Sequence, residues 1–570
     1  MAVQSCLKPI EEMPDEPIKT YAAVKQMKKM KPRKPLLVKT ENGLTANEQV
    51  QANLIANYFH KVFYKNAEPI PTLQPRKMKN PFTAGEIENA AKRLKNNTSP
   101  GIDNITSEMI KYAPKEIFQE IANIFNLIAE TGEYPIELSQ GIITPLQKPG
   151  KKRGPITNLR PITLLSVIRK LLAICLCERT NKLLDQKIPQ NQAAYRPGRS
   201  TTEHVFAVKM IIERTLASAE EEIHLLMLDM SKAFDTIQRK TLFEDLETTV
   251  EPDELLLFTK LLHINLAVRC GNSTSSFFET DTGGPQGECS SAKNFTFYLA
   301  NTLEEFEQGE VTTQPQLDTF LSMELLYADD ISKISNDISE IERTHDKYPE
   351  ILEKRGLQIN EDKTEKYTIS RTNTDQTWKK CKLLGTLLDT TEDIKRRKSL
   401  AIEATKSVQS AFKNKKLWIG TKANIFDTYV SSVFLYNACT WTITQSQEQQ
   451  IDSFQRKLIR INVLNIKWPK IIKNEEVYRK TKIRPWSQRI RKQKMTWLGH
   501  VLRMSPDIPA RKALEYAQKP YKIPRGRPKL TWIKSIKIQL QEEMGLTWQE
   551  ASAIAQDRKA WRALVQKKYF

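Results

Sequence analysis

The chain has 570 residues, of which 39% are hydrophobic and 27% are charged, which predicts a globular chain of several domains. No apolar run of about 18 residues and no apolar leader occurs, which argues against a membrane span and a secretory signal. Seven scattered cysteines show neither a disulfide framework nor zinc-ligand spacing, and the net charge of +21 indicates a polyanionic partner.

Residues 1–80 are rich in proline and lysine, and we interpret them as a basic linker or N-terminal extension. The acid-free run KQMKKMKPRKPLLVK at 25–39 has two readings that stay open: a nuclear-import or RNA-contact patch, or a solvated linker. Apolar residues at helical spacing predict a helix at 52–63.

The next 110 or so residues alternate between predicted helices and strands. Thr83 and Glu86 have the spacing of a capping box and predict the start of the first helix. The predicted elements are a helix at 81–97, a turn at 99–104, a helix at 116–135, a strand at 142–150 and a helix at 166–186.

A further helix follows the loop QNQAAYRPGRSTTEH, and then an apolar strand is predicted at 223–229. The segment 231–246 has helical spacing, with Ser231 as its predicted N-cap. Helices and strands in this order indicate an α+β fold, whereas helical periodicity dominates from residue 395 onward.

Carboxylates stand at the ends of apolar strands at two places in the chain. Asp229 closes LLMLD, and Asp329 and Asp330 follow LLYA. An exposed Asp-Asp pair at a hairpin turn is a common alternative, because aspartate tolerates turn geometry. A buried strand that ends in an unpaired charge is costly, however, and shared cations would remove that cost. Three such carboxylates can hold two Mg²⁺ ions that act on a phosphoryl displacement.

Between these two places lies TGGPQGECSSAKNF, at 282–295. Its glycines permit close backbone approach, and Gln286 offers an amide to a nucleotide or template. A plain connecting loop is the alternative. The position between the two aspartate motifs favours a functional segment.

The positive charge is concentrated at the C-terminal end. Residues 391–570 contain 38 Lys and Arg against 14 Asp and Glu, and all nine tryptophans lie at 378 or beyond. Basic grooves bind phosphates and aromatic rings stack on unpaired bases, so this region is predicted to bind nucleic acid. The alternative for any single tryptophan, such as Trp497, Trp532 or Trp561, is a place in the core.

Taken together, these segments resemble the reverse transcriptases of non-LTR (LINE-type) retrotransposons. The resemblance covers most of the chain, and its motifs occur in the family's order. They are LKNNTSPGIDNITSEMIK (94–111), ITPLQKPG and NLRPITLLSVIRK (143–170), NQAAYRPGRSTT (191–202), LDMSKAFDT, GGPQGECSS, LYADD, GLQINEDKTE (356–365), KLLGTLLD (382–389), and the tail segments LYNACTWTIT, MTWLGHVLRM, RGRPKLTW and DRKAWRAL.

The resemblance implies a right-hand polymerase fold with fingers and palm at 81–390. It implies a helical thumb at 391–470 and a basic helical nucleic-acid-binding module at 471–570. Only about 80 residues precede the fingers here, so we expect no endonuclease domain. The implied location is intracellular and nuclear, after cytoplasmic synthesis as a ribonucleoprotein, without membrane association.

The resemblance also implies roles for individual residues. Asp229, Asp329 and Asp330 would hold two Mg²⁺ ions, and Lys363 would give a proton to the leaving pyrophosphate or be a plain surface lysine. Phe234 would exclude the ribose 2′-OH, whereas its neighbour Asp235 would stabilise a helix. The remaining implied roles are nucleotide binding by Lys148, Arg160 and Gln286 and template contact by Arg196 and Arg199. Independently of the resemblance, the run RGRP at Arg525 and Arg527 matches the short core of a minor-groove hook, with a Pro-bounded loop as the alternative.

The implied activity is RNA-directed DNA polymerisation, in which deoxynucleoside triphosphates extend a DNA primer on an RNA template. An RNA-dependent RNA polymerase is one alternative, and Phe234 argues against it. A catalytically silent, element-derived nucleic-acid-binding protein is the other, and the presence of all three aspartates argues against it.

Overall fold

The computed structural model describes residues 36–41, 43–148, 150–284, 287–308, 321–466 and 469–569. Most of the basic run at 25–39 and all of Gln286 lie outside these residues. Over the described ranges, every helix is too short or too polar to cross a lipid bilayer.

The described strands are short, and most belong to two four-stranded sheets. They are β1 Val38–Thr40, β2 Gly43–Thr45, β3 Gln140–Gln147, β4 Leu159–Leu165, β5 Glu222–Asp229, β6 Asn265–Cys270, β7 Ser273–Thr274, β8 Ser322–Tyr327, β9 Asp330–Ser335, β10 Glu365–Ser370, β11 Lys382–Leu383 and β12 Thr386–Leu387.

Helices make up most of the rest, and they become nearly continuous after β12. They are α1 Glu48–Phe63, α2 Ala84–Arg93, α3 Ser107–Lys111, α4 Lys115–Thr131, α5 Val167–Lys187, α6 Thr201–Ala217, α7 Arg239–Glu247, α8 Pro252–Leu262, α9 Cys289–Gln308, α10 Ile338–Lys354, α11 Thr390–Ser407, α12 Gln409–Lys413, α13 Ile419–Phe426, α14 Ser432–Phe434, α15 Gln445–Leu458, α16 Asn474–Thr481, α17 Trp486–Leu502, α18 Pro509–Gln518, α19 Trp532–Gln539, α20 Trp548–Gln556 and α21 Arg558–Tyr569.

The central sheet has the order β10-β5-β9-β8, and all its pairs are antiparallel. Successive side chains of a strand point to opposite faces, and here both faces are covered. Leu226 and Leu228 of β5 join one hydrophobic cluster, whereas Ile223 and Leu225 join another. This double burial explains why residues 225–228 of the strand, LLML, form an unbroken apolar run.

The second sheet has the order β4-β3-β6-β7, with β3 and β6 parallel and the other pairs antiparallel. Helix α1 packs on it through Ile55, Phe59 and Phe63, which share a cluster with Ile143 and Val268. The predicted helix at 52–63 is therefore confirmed, and it begins four residues earlier, at Glu48.

Of the two helix starts predicted from capping residues, one is confirmed and the other is wrong. The capping box of Thr83 and Glu86 is present at the start of α2, as predicted. The predicted helix at 231–246 with Ser231 as N-cap is wrong in its first half: a 3-10 turn spans Ala233–Asp235, and α7 begins only at Arg239. The cause is non-local, because the Ser231 N–H donates to the Gln358 carbonyl and Lys232 has φ +52°.

The C-terminal helices pack on the face of the central sheet that α6 covers. Trp532 of α19 is fully buried, and its ring centroid lies 4.9 Å from that of Phe206 in α6. Trp497 and Trp561 are also buried, in the same hydrophobic cluster as Leu225 of β5. For these three tryptophans the core alternative is therefore confirmed.

Candidate active site

Three carboxylates meet at one end of the central sheet. Asp229 is the last residue of β5 and the direct cross-strand partner of Asp330, the first residue of β9. Residues opposite each other in an antiparallel pair share a face, with Cβ atoms about 4.5–5.5 Å apart. Asp329 lies in the two-residue loop that joins β8 to β9. The structure thus brings together the three aspartates that the sequence pattern singled out.

The loop that carries Asp329 is held in place by a neighbouring segment. Ala328 has φ +55°, a conformation that costs a residue with a Cβ about 1–2 kcal/mol. The Gln192 side-chain oxygen accepts from the Ala328 N–H at 3.1 Å, and the Ala193 N–H donates to the Leu326 carbonyl at 3.0 Å. Gln192 is only 1% exposed. Sequence reasoning missed this residue, because no local signal shows that its side chain reaches another strand.

The three carboxylates repel one another, and the pKa values of two of them are raised. Burial of its carboxyl group, then the charges of Asp329 and Asp229, raise the pKa of Asp330 to about 6. Burial and the charge of Asp229 likewise raise the pKa of Asp329. The exposed Lys363 ammonium donates to Asp229 Oδ2 at 2.6 Å. In this structure Lys363 therefore neutralises one of the three carboxylates.

The cluster fits a divalent cation by its chemistry. Among the described residues, no three His, Cys, Asp or Glu side chains already converge as ligands around one point. Carboxylate oxygens are nevertheless the hard ligands that Mg²⁺ prefers, and the repulsion within the cluster is what a bound cation would relieve. The Lys363 ammonium lies where it offsets part of the same charge.

The raised pKa of Asp330 predicts a pH-dependent stability in the absence of divalent cations. The protonated carboxyl is favoured in the folded chain, so its contribution is present below pH 3.8 and is lost as the pH rises through about 6. In EDTA, Asp330→Asn should therefore raise the free energy of unfolding at pH 7.5, and not at pH 4. Solvent reaches Asp330 and screens its charge, so we expect a gain of about 1 kcal/mol.

Thermal unfolding at both pH values measures this difference, with the exposed Asp362→Asn as the matched control. Equal stability of Asp330→Asn and the unaltered chain at pH 7.5 would contradict the electrostatic account of the cluster.

A cavity of about 270 Å³ opens beside the carboxylates. Lys148, Arg160, Phe234 and Asp329, all predicted site residues, line it together. The Lys148 ammonium donates to the Thr157 carbonyl at 2.8 Å. Burial, followed by the charges of Arg160 and Lys232, lowers the pKa of Lys148. Crowded cations of this kind favour an anionic ligand such as a phosphate.

Aromatic contacts fix Phe234 at the cavity wall. Its ring centroid lies 4.4 Å from that of Phe295 and 6.4 Å from that of Tyr195, which meets it edge-on. Sequence reasoning missed two further lining residues, Tyr58 and Lys232. The Lys232 ammonium donates a hydrogen bond to the Tyr58 hydroxyl oxygen at 3.2 Å. Lys232 stands within the LDMSKAFDT segment, which was the available signal, whereas Tyr58 lies on α1, far away in sequence.

The glycine-rich segment approaches this region closely on both sides of Gln286, which itself lies outside the described residues. Gly283 has φ +68°, and a Cβ there would stand 2.7 Å from the Asp235 carbonyl oxygen. At Gly287 a Cβ would stand 2.8 Å from the Thr163 carbonyl oxygen. These two glycines let the segment lie close to the chain's own backbone, whereas its approach to a nucleotide or template stays a prediction.

The arginines of the YRPGRS loop are placed differently from expectation. The Arg196 guanidinium donates to both carboxylate oxygens of Asp185 at 3.1 Å, and Arg199 donates to Glu203 at 2.6 Å. Both side chains are less than a tenth exposed. They are committed to internal ion pairs in this structure, which does not present them to a template. Arg525 and Arg527, in contrast, are exposed in the loop between α18 and α19.

A comparison with known protein families bears on this site. Residues 146–410 match the family described as reverse transcriptase (RNA-dependent DNA polymerase). This segment contains the end of β3, all of β4 to β12, the three aspartates and the Lys148, Arg160 and Phe234 positions.

Two relatives from Drosophila melanogaster extend this result. The chain is 24% identical over 482 residues to the probable RNA-directed DNA polymerase from transposon X-element, an alignment that covers 79% of the chain and 51% of that protein. It is 28% identical over 275 residues to the probable RNA-directed DNA polymerase from transposon BS, covering 45% of the chain and 30% of that protein. The chain thus aligns with about half, or less, of the length of these relatives.

Among solved structures, the chain is similar to that of apo telomerase from Candida Tropicalis. The sequence identity is 12% and the TM-score is 0.36, and the match covers 70% of this chain and 74% of that chain.

Proposed function

We propose that the chain is an RNA-directed DNA polymerase of a non-LTR retrotransposon, or one derived from such an element. The match of residues 146–410 to the reverse transcriptase family and the similarity to transposon polymerases support this proposal. Its substrates would be an RNA template, a DNA primer and deoxynucleoside triphosphates. The primer 3′-hydroxyl oxygen would form a bond to the α-phosphorus as the bond to pyrophosphate breaks. The hydroxyl proton would leave to solvent.

One observation carries this proposal: Asp229 and Asp330 are direct cross-strand partners, with Asp329 in the adjoining loop and in the wall of a cation-lined cavity. Asp229, Asp329 and Asp330 would hold two Mg²⁺ ions, which when bound would supply positive charge to the attacking and leaving oxygens. Cation binding therefore accounts for all three carboxylates together, whereas an exposed Asp-Asp pair at a hairpin turn would not account for Asp229.

The cavity residues have complementary tasks in this proposal. Lys148 and Arg160 would bind the triphosphate, and Arg160 suits it because a guanidinium can make paired contacts with phosphate oxygens. Phe234 would lie against the sugar and exclude a 2′-hydroxyl by volume. Lys363 would hold Asp229 until cations bind, and its role as proton donor to pyrophosphate stays a prediction.

The wider arrangement follows the same reasoning. We propose a right-hand polymerase with fingers and palm at 81–390, a thumb at 391–470 and a nucleic-acid-binding module at 471–570. A role for Gln286 in nucleotide contact, one for Arg525 and Arg527 in nucleic-acid contact, and a nuclear location remain parts of this proposal. Template contact by Arg196 and Arg199 would first require their ion pairs to open.

Primer extension on poly(rA)/oligo(dT) with dTTP tests the proposal. We expect incorporation that requires added Mg²⁺ and that EDTA abolishes. Binding of the template–primer should be measured in parallel by fluorescence anisotropy. A chain that binds the template–primer and yet incorporates nothing above background would instead be the catalytically silent nucleic-acid-binding protein.

A further inference from the structure

Trp418 differs from the other tryptophans that the structure describes. Trp441, Trp486 and Trp532 are fully buried, whereas Trp418, just before α13, is 64% exposed. It is the single exposed tryptophan within the described ranges. An indole ring left in water forgoes a large gain from burial, and tryptophan is enriched at binding surfaces, so its exposure beside a basic cavity makes it a candidate contact residue.

The ring of Trp418 is held against the backbone of Gly420. A Cβ added at Gly420 would stand only 2.0 Å from Cζ3 of the indole and 2.5 Å from Cε3. Any other residue at position 420 would therefore push the ring away. The indole thus lies close against the start of the helix while it stays exposed, which suits a stacking platform.

Trp418 lines a cavity of about 570 Å³ whose other side is strongly basic. Four cationic side chains line it: Lys482 and Arg484 from the segment between α16 and α17, and Arg489 and Lys492 from α17. Asp427 is the one acidic residue among the lining residues, and it pairs with Arg489. The exposed Lys415 and Lys416 precede the tryptophan in the chain.

The cations of this cavity lie close enough to repel one another. Burial, followed by the charges of Arg484, Arg489 and Arg562, lowers the pKa of Lys492. Besides the Arg489–Asp427 pair, Arg484 donates to the Tyr569 carbonyl at 2.7 Å. An anionic ligand would relieve this repulsion.

We propose that this cavity binds an unpaired nucleotide of single-stranded RNA, with its base stacked on Trp418 and its phosphates facing the four cations. Aromatic platforms beside a basic groove are how proteins bind single strands without reading their sequence. The choice of RNA rests on the proposed function, in which the template is the RNA strand. An acidic peptide would pair with the cationic side chains, but its carboxylates would have no reason to stack on the indole of Trp418.

The test measures the binding of a fluorescent 12-nucleotide oligo(rU) to the full chain by anisotropy, in EDTA. Trp418→Ala should weaken binding about 5- to 150-fold, which corresponds to the loss of one stacked base. Trp418→Phe should stay within about threefold, because a ring is kept. Gly420→Ala should weaken binding at least about threefold, since its Cβ displaces the indole.

The matched control is Tyr112→Ala, which removes an aromatic ring that is 77% exposed and does not line this cavity. It should bind oligo(rU) like the unaltered chain. Circular dichroism and the melting temperature should be unchanged for all four variants. Photocrosslinking of a 5-bromouridine oligonucleotide should label the peptide that contains Trp418.

Binding by folded Trp418→Ala within twofold of the unaltered chain would overturn the inference. Equal or tighter binding of oligo(dT) with the same Trp418 dependence would overturn the assignment to RNA. So would full competition by poly-glutamate at equal charge. These binding measurements do not require nucleotide incorporation. If oligo(rU) binding depends on Trp418 and no primer is extended, the result would count against the polymerase proposal alone. If primers are extended and oligo(rU) binding does not depend on Trp418, the result would count against this inference alone.

Discussion

Replacement of Asp329 by Asn should lower primer extension at least about a thousand-fold. The amide keeps the shape of the side chain and removes one negative charge from a cluster of three. A cation site that supplies several kcal/mol of charge stabilisation would lose about 4 kcal/mol, and each 1.36 kcal/mol is tenfold in rate. Single-nucleotide incorporation of dTTP on poly(rA)/oligo(dT) at saturating Mg²⁺ measures the effect.

The matched control is Asp362→Asn, which removes an exposed carboxylate next to Lys363 and leaves the three clustered carboxylates intact. It should extend primers at nearly the normal rate. Both variants should bind template–primer with unchanged affinity and melt cooperatively. Extension by Asp329→Asn within tenfold of the unaltered chain would remove Asp329 from the reaction and with it the proposed cation site.

Shortening Phe234 to Val or Ala should raise the use of rUTP relative to dTTP about 5- to 150-fold. Forcing an extra atom into a packed site costs about 1–3 kcal/mol, which gives this range. Phe234 cannot swing aside at low cost, because Phe295 and Tyr195 hold its ring on two sides. A smaller side chain would leave room for the 2′-oxygen.

The measurement compares kcat/KM for the two nucleotides on the same template–primer. Phe277→Ala, which removes a 40% exposed ring that is not among the residues lining the cavity, is the control and should keep the original ratio. An unchanged ratio in Phe234→Val would contradict the steric role, and equal use of both nucleotides by the unaltered chain would favour an RNA polymerase.

Much of this architecture could be predicted from local patterns. The apolar run before Asp229, the Asp329–Asp330 pair and the Thr83 capping box each encode their own structure within a few residues. Local patterns gave the wrong secondary structure where tertiary contacts determine the backbone conformation. The segment after Ser231 has helical spacing, but its backbone pairs with residue 358 and turns through a left-handed residue.

Side-chain partners were harder still to foresee. The sequence shows an arginine at 196 and does not show that Asp185 neutralises it. Composition correctly marked the C-terminal region as basic and rich in tryptophan. It could not separate buried Trp532 from exposed Trp418, because burial depends on which helices meet.

The packing of α19 on α6 has a consequence for mutations that truncate the C-terminal helices. Helices α17 to α21 contribute side chains such as Trp497, Trp532 and Trp561 to the cluster on one face of the sheet that carries the aspartates. A premature stop codon in this tail would uncover Phe206 and Leu225. We expect such a truncated chain to misfold and aggregate, although Asp229, Asp329 and Asp330 would still be encoded.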